Sequence, residues 1–139
     1  MVQNELEWVS DKQKDGLPIW KLKLNEREQI IGIGILQEDL SYDWNNYWGE
    51  YAAQRIHYMK DELPEQLEQL LDDGKLMEYL HEFQIQAADV VINQVEAWMR
   101  TDPEYLAAEE THDVLLQYQL RENLQARAEE IMRDTMVYR

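Results

Sequence analysis

The sequence predicts an α+β protein that is mainly helical, with an antiparallel bundle of about four helices and a small N-terminal β element. Three observations indicate this class. Apolar and basic residues alternate from Trp20 to Leu24, which is the period of a half-buried strand. Beyond residue 37, apolar residues recur every three or four positions, as they do in amphipathic helices. Short connections separate these helical stretches and favour antiparallel neighbours.

The N-terminal β element is predicted from two segments. Residues 6–9 are expected to pair with residues 20–24, because Asp15-Gly16 between them supplies the chemistry of a turn. The apolar segment Ile30–Leu36 contains two glycines and is compatible with a strand or with the beginning of a helix. Its Gly-x-Gly pattern lacks the remainder of a dinucleotide-binding fingerprint and is a weak indication of a phosphate site.

Four main helical segments are predicted in the rest of the chain. Their expected bounds are residues 40–60 with a kink near Gly49, residues 64–73, residues 75–100 and residues 111–136. Pro64 is a typical first helical residue, and Asp102 followed by Pro103 is typical of a helix that restarts after an N-cap. The third helix should bury Leu76, Leu80, Phe83, Ala87, Val91, Val95 and Trp98, and the last should use Leu115, Tyr118, Leu124, Ala128, Ile131 and Thr135.

Length and composition bound the class of protein. The 139 residues predict a single domain, in which residues 1–36 form the β element and residues 37–139 the acidic helical bundle. The chain has no Cys, which excludes disulfide scaffolds, Cys-ligated zinc and thiol catalysis. No apolar run reaches the ~20 residues that span a bilayer, and the acidic N-terminus does not resemble a signal peptide. We therefore expect a cytoplasmic protein with no membrane partner.

The net charge of −16 is concentrated in the middle of the chain. Residues 38–113 contain nineteen acidic and four basic side chains, whereas residues 1–37 have a net charge of −1 and residues 114–139 are neutral. Direct binding to phosphates requires a positive surface, so we expect no direct DNA binding over most of the chain. A concentrated negative surface instead favours a basic protein partner.

The predicted partner-binding surface combines carboxylates with aromatic rings. Glu65, Glu68 and Asp72 share one helix face, and so do Glu78, Glu82, Asp89 and Glu96. Tyr and Trp beside charges are typical of interface anchors. The candidate residues are Asp39, Tyr42, Asp43, Trp44, Tyr47, Trp48, Glu50, Glu65, Glu68, Asp72, Asp73, Glu78, Glu82 and Asp89. The alternatives are a solvated acidic face, and a core position for Trp44, Trp48 and Tyr51.

No catalytic signature is present, so we expect a non-enzymatic protein without cofactor or metal. The strongest chemical pattern is a pair of Glu-x-x-His sequences, Glu78 to His81 and Glu109 to His112, because such pairs hold two irons in some four-helix bundles. His112 falls in the capping region of its predicted helix rather than at mid-bundle. A di-metal carboxylate centre therefore remains only a minor alternative.

Several segments resemble the TnpV family of small accessory proteins encoded on transposons. The resemblance lies in residues 58–64, in Leu70-Leu71-x-x-Gly74-Lys75-Leu76-x-x-Tyr79-Leu80, in Gln86-Ala87 and in residues 127–131. Leu17-Pro18, Leu22-x-Leu24 and Ile31-Gly32-x-Gly34 are similar to its N-terminal segment, so that the resemblance spans about residues 17–138. It implies a mobile-element setting in a bacterial cytoplasm and carries over no catalytic residue. The chain is more acidic than the family pattern, with Glu62, Gln119 and Gln125 where Arg or His is usual.

Two functions are expected from these features. The first is a mobile-element or phage protein that imitates DNA and binds a basic nucleic-acid-binding protein, such as a recombinase or a CRISPR or other defence nuclease that it would inhibit. The second is a transposition accessory factor that contacts DNA or a recombinase through Arg121 or Lys23. A scaffold or antitoxin-like role is a further alternative.

Overall fold

The computed structural model describes residues 2–4 and 6–139, with side chains from residue 6 onward. Its strands are β1 Val2–Asn4, β2 Glu7–Val9, β3 Gln13–Lys14, β4 Leu17–Pro18, β5 Trp20–Leu24, β6 Ile30–Leu36 and β7 Tyr42–Asn45. Its helices are α1 Glu50–Glu62, α2 Pro64–Asp72, α3 Leu76–Met99, α4 Pro103–Glu110 and α5 Val114–Met132, and a π-helical segment Arg133–Val137 follows. The chain divides into two compact units, residues 1–84 and residues 85–139.

The first unit contains a five-stranded antiparallel sheet of order β1-β2-β5-β6-β7. The predicted pairing of residues 6–9 with strand β5 is confirmed, and Trp8 lies opposite Leu22. The segment Ile30–Leu36, which the sequence left open, is strand β6. Strands β3 and β4 form a separate hairpin. Its two turn residues, Asp15 and Gly16, have φ of 54° and 79°, the positive values that a two-residue hairpin turn prefers.

The predicted architecture, a four-helix bundle with one small β element, is wrong. The structure is α+β, but the sheet extends over most of the first 45 residues, and five helices follow it. The difference lies in residues 40–49, for which the sequence predicts part of a kinked helix. Tyr42–Asn45 is instead the edge strand β7, since Tyr42 and Trp44 alternate with polar residues and pair with β6. Gly49 precedes α1 and does not kink it.

The helix boundaries that depend on local chemistry follow the prediction. Pro64 is the first residue of α2, and Pro103 is the first residue of α4. The carboxylate of Asp102 accepts a hydrogen bond from the Tyr105 backbone nitrogen at 3.0 Å, as an N-cap does. Within the described residues, no helix combines the length and apolar composition that crossing a bilayer requires.

The buried face of α3 was predicted correctly, and that of α5 only in part. Six of the seven predicted α3 residues are buried, and Trp98 is half-buried. In α5 the buried residues are Leu124, Ala128 and Met132, whereas Leu115 and Tyr118 are 68% and 62% exposed. Leu115 and Tyr118 lie about 180° and 120° around the helix from Leu124, at ~100° per residue. The predicted set for α5 therefore mixed two faces of one helix.

Candidate functional site: an acidic surface with an aromatic cleft

The loop between β7 and α1 is held in place by a side chain from α3. Gln84 Oε1 accepts hydrogen bonds from the backbone nitrogens of Tyr51 and Ala52, at 2.7 and 3.0 Å. These N–H groups belong to the first turn of α1, where the helix itself supplies no acceptor, and Gly49 cannot cap them because it has no side chain. Gly49 has φ 105° and ψ 152°, a conformation that is essentially restricted to glycine. The loop is thereby fixed beside α3.

This arrangement forms a cleft of about 360 Å³, hereafter the aromatic cleft. It is lined by Tyr47, Trp48, Gly49, Met77, His81 and Gln84. Tyr47 is 82% exposed, whereas Trp48 is half-buried. The Trp48 Nε1 atom is buried, and among the described residues no acceptor lies within hydrogen-bonding distance of it. The cleft therefore presents one exposed ring and one half-buried ring.

Carboxylates lie next to residues that line the aromatic cleft. Glu50 follows Gly49 directly, and Glu78 follows Met77. Glu78 and His81 are three residues apart on α3, so their side chains are neighbours on its surface. Glu50, Glu78 and Glu82 are exposed. Among the described residues, none of the three has a basic side chain within ion-pair distance. Their charges are thus compensated only by solvent and counterions.

Two other predicted aromatics, Tyr42 and Trp44, lie on the sheet and away from exposed positions. Lys21 Nζ is 4.5 Å from the Tyr42 ring centroid, and Lys23 Nζ is 4.1 Å from that of Trp44. A Cβ added to Gly34 would lie 2.9 Å from the nearest ring carbon of Trp44. The Gly-x-Gly pattern of β6 therefore makes room for an indole. Both aromatics are half-buried parts of a cation–π layer on this sheet face.

The Tyr42 hydroxyl donates a hydrogen bond to the Pro18 carbonyl oxygen at 2.7 Å. Burial, and secondly the charge of Glu7, raise the pKa of the Tyr42 phenol above 10.0. We expect Tyr42→Phe to lower the free energy of unfolding by about 1 kcal/mol, which is the typical net contribution of such a hydrogen bond to stability. This difference should be present below pH 10 and be lost as the pH rises through the folded-state pKa, because the folded state then loses its proton. Urea unfolding at pH 8 and above pH 10 measures it.

The matched control is Tyr118→Phe. Tyr118 is 62% exposed on α5, so that variant should unfold like the wild-type chain at pH 8. A Tyr42→Phe variant that is as stable as the wild type at pH 8 would contradict the structural role of the phenol.

The remaining acidic candidates fall into three settings. Asp43 is exposed on β7, and Asp39 accepts hydrogen bonds from Ser41 Oγ at 2.6 Å and Ser41 N at 3.1 Å, which hold the pKa of its carboxyl below the usual value. Asp89 is exposed but belongs to residues 85–139, the second unit. The α2 residues form the third setting.

On α2 only part of the predicted acidic stripe faces solvent. Glu65 is exposed and Glu68 is half-buried. Asp72 has a side chain that is 14% exposed, and its Oδ1 accepts a hydrogen bond from Trp20 Nε1 at 2.9 Å. Asp73 is exposed and accepts hydrogen bonds from Gln69. Asp72 thus serves the interior of the first unit, which a helical-wheel reading could not indicate.

Basic side chains in this part of the chain are turned inward. Arg55 is 6% exposed, and its Nε donates a hydrogen bond to the Tyr79 hydroxyl at 2.9 Å. Lys60 is 6% exposed, 3.4 Å from Asp61 and 5.0 Å from the Trp8 ring centroid. Residues 38–84, all of which the structure describes, therefore expose ten carboxylates and a single basic side chain that is not a histidine, Lys75.

Nothing in the local sequence indicates that Met77, His81 and Gln84 are neighbours of the aromatic residues. The only local signal was Gly49, because a glycine directly before a helix without a side-chain cap implies that the cap comes from elsewhere. Among the described residues, no group of three or more His, Cys, Asp or Glu is arranged to hold a metal ion.

Together these residues define an α+β protein that exposes an acidic surface around an aromatic cleft. The family described as transposon-encoded protein TnpV matches residues 37–137, and the chain belongs to that family. The match covers α1 to α5 and strand β7, and it begins after residues 17–36, which also resemble the family. No curated protein and no solved structure matches the chain. Family membership associates the protein with transposons.

Proposed function

We propose that this transposon-associated protein binds the nucleic-acid-binding surface of a basic protein partner through the exposed carboxylates of residues 38–84. One observation carries the proposal: this stretch exposes ten carboxylates but buries Arg55 and Lys60. Had the negative charge been needed only for solubility, no such inward placement of the cations would be required. A surface of one sign steers a partner of the opposite sign and speeds association.

A protein partner is better supported than direct contact with DNA. Phosphate binding requires exposed cations that are free to contact phosphates. Lys21 is half-buried, with its Nζ 4.0 Å from Glu7, and Lys23 is exposed but its Nζ lies 4.1 Å from the Trp44 ring centroid. Arg121 is exposed on α5, but residues 114–139 as a whole carry no net charge. Family membership supports the transposon's own DNA-processing enzyme, a transposase or recombinase, as the partner rather than a defence nuclease.

The test is a displacement assay with that enzyme and a labelled duplex that it binds. We expect the wild-type chain to displace the duplex, since both ligands would occupy the same basic surface. The double variant Glu78→Lys with Glu82→Lys should displace it roughly tenfold less well at low ionic strength, and the difference should shrink as salt is added. Fluorescence anisotropy of the duplex reports the displacement.

The matched control reverses two charges outside the proposed surface. Glu26 and Glu28 are exposed in the turn between β5 and β6, and Glu26→Lys with Glu28→Lys changes the net charge by the same amount. This control should displace the duplex as the wild type does. Equal losses in the two double variants would show that only net charge matters and would refute the proposed surface. If the wild-type chain, without the enzyme, retards the duplex in an electrophoretic mobility assay, that result would instead support direct DNA contact.

A further inference from the structure

We infer that the aromatic cleft receives an arginine side chain of the basic partner. This inference rests on the proposed function and names the group that the partner inserts. The volume of the cleft, about 360 Å³, is near the lower end of the ~300–1,000 Å³ that small-molecule sites occupy, which suits one long side chain.

The lining of the cleft suits a planar cation. Tyr47 and Trp48 supply aromatic faces, and the 82% exposure of Tyr47 leaves its ring open to a partner. A guanidinium group stacks on such rings and is attracted by their negative faces. Met77 adds a flexible apolar surface against which the methylene groups of the arginine can pack.

The rim of the cleft supplies the opposite charge. Glu50 and Glu78 adjoin the lining residues Gly49 and Met77, and both are exposed and without a basic partner among the described residues. A carboxylate accepts two parallel hydrogen bonds from the planar pair of N–H donors of a guanidinium, whereas an ammonium group has no such pair. Gln84 Oε1 is already occupied by two backbone N–H groups of α1, so the acceptors for an incoming cation are the two carboxylates. Ring and carboxylate together favour arginine over lysine.

Two peptides of equal charge provide the first test. A nonapeptide of arginine and one of lysine are titrated into the purified chain, and the indole N–H signal of Trp48, assigned with Trp48→Phe, is followed by NMR. We expect the arginine peptide to bind more tightly and to shift this signal. Tyr47→Ala should weaken the arginine peptide by roughly threefold to tenfold, and Tyr47→Phe should retain binding because it keeps the ring.

Tyr118→Ala is the matched control, since Tyr118 is a similarly exposed tyrosine on α5. It should bind the arginine peptide as the wild type does. Thermal unfolding of Tyr47→Ala should be unchanged, because an 82% exposed side chain contributes little to the core. Equal affinity of Tyr47→Ala and the wild type for the arginine peptide, or an unperturbed Trp48 signal at saturation, would overturn the inference.

The displacement assay separates this inference from the proposed function. If the double variant Glu78→Lys with Glu82→Lys and the single variant Tyr47→Ala both displace the duplex less well, the proposed function and the arginine site are both supported. A loss in the charge-reversed variant with none in Tyr47→Ala overturns the arginine site and leaves the acidic surface standing. If neither variant displaces the duplex less well than the wild type, both the arginine site and the proposed function are overturned.

Discussion

Replacing Gly49 by alanine is expected to lower the free energy of unfolding by roughly 3 kcal/mol. Two physical causes contribute. A side chain at φ 105° and ψ 152° is strained, at a cost of about 1–3 kcal/mol. A Cβ at this position would also lie 2.4 Å from the Cδ and Oε1 atoms of Gln84, so Gln84 must move away from the N–H groups that it caps. Loss of a cap costs about 1 kcal/mol in addition.

The control for this variant is Gly74→Ala. Gly74 also has a positive φ of 68°, but nothing lies within 4 Å of the Cβ that alanine would add. Its cost should therefore be the backbone strain alone, roughly 1 kcal/mol. Urea unfolding followed by circular dichroism measures both. If Gly49→Ala and Gly74→Ala lower the free energy of unfolding equally, Gln84 does not stabilise α1 as a cap.

Replacement of Gln84 separates the cap from the strain. Gln84→Glu should preserve stability, because a carboxylate accepts the same two bonds and is favoured at a helix N-terminus. Gln84→Ala should lose about 1 kcal/mol. If Gln84→Ala is as stable as the wild type, the two hydrogen bonds to Tyr51 and Ala52 do not hold the loop.

Trp20→Ala is the variant for which we expect the largest loss, about 3–5 kcal/mol. Trp20 is fully buried in β5, and its Nε1 donates a hydrogen bond to Asp72 on α2. Truncation opens a cavity beneath the sheet and leaves the Asp72 carboxylate, which is only 14% exposed, without its indole partner. The midpoint of thermal unfolding should fall by roughly 10 °C.

Substitutions of Asp72 determine how much of that loss belongs to the hydrogen bond. Asp72→Ala should cost about 1–3 kcal/mol, because it leaves a buried indole N–H without an acceptor. Asp72→Asn keeps an acceptor oxygen and should cost less. An Asp72→Ala variant as stable as the wild type would show that this carboxylate is not needed by the fold and would restore it as a candidate for partner binding.

The features that the sequence predicted correctly depend on neighbouring residues. The alternation in Trp20–Leu24 identifies a strand because one face meets the interior, and the stripe from Leu76 to Val95 identifies the buried face of α3 for the same reason. Asp102 caps α4 through a backbone nitrogen only three residues away. All the residues that form each of these patterns lie within a short stretch of sequence, so the patterns can be recognised without knowledge of the rest of the chain.

The features that the sequence did not predict depend on residues that are far apart along the chain. Residues 40–49 contain aromatics at spacings of three and four, which also occur in a helix, but Trp44 in fact lies over Gly34 on the adjacent strand. The candidate site shows the same limit. Tyr47 and Trp48 were found from their composition, whereas His81 joins them only because Gln84, more than thirty residues along the chain, caps α1.

The sequence by itself determined the amount and the position of the negative charge, because side-chain ionisation at neutral pH needs no fold. It also determined which residues of α3 are buried, since one helix exposes a fixed set of faces. Only the tertiary structure decided which charges remain outside. Arg55 and Lys60 are buried where hydroxyl, carboxylate and aromatic partners offset the loss of water, and Asp72 turns inward to an indole. Each of these placements depends on partners brought together by folding, so the acidic surface around the aromatic cleft is a property of the folded chain.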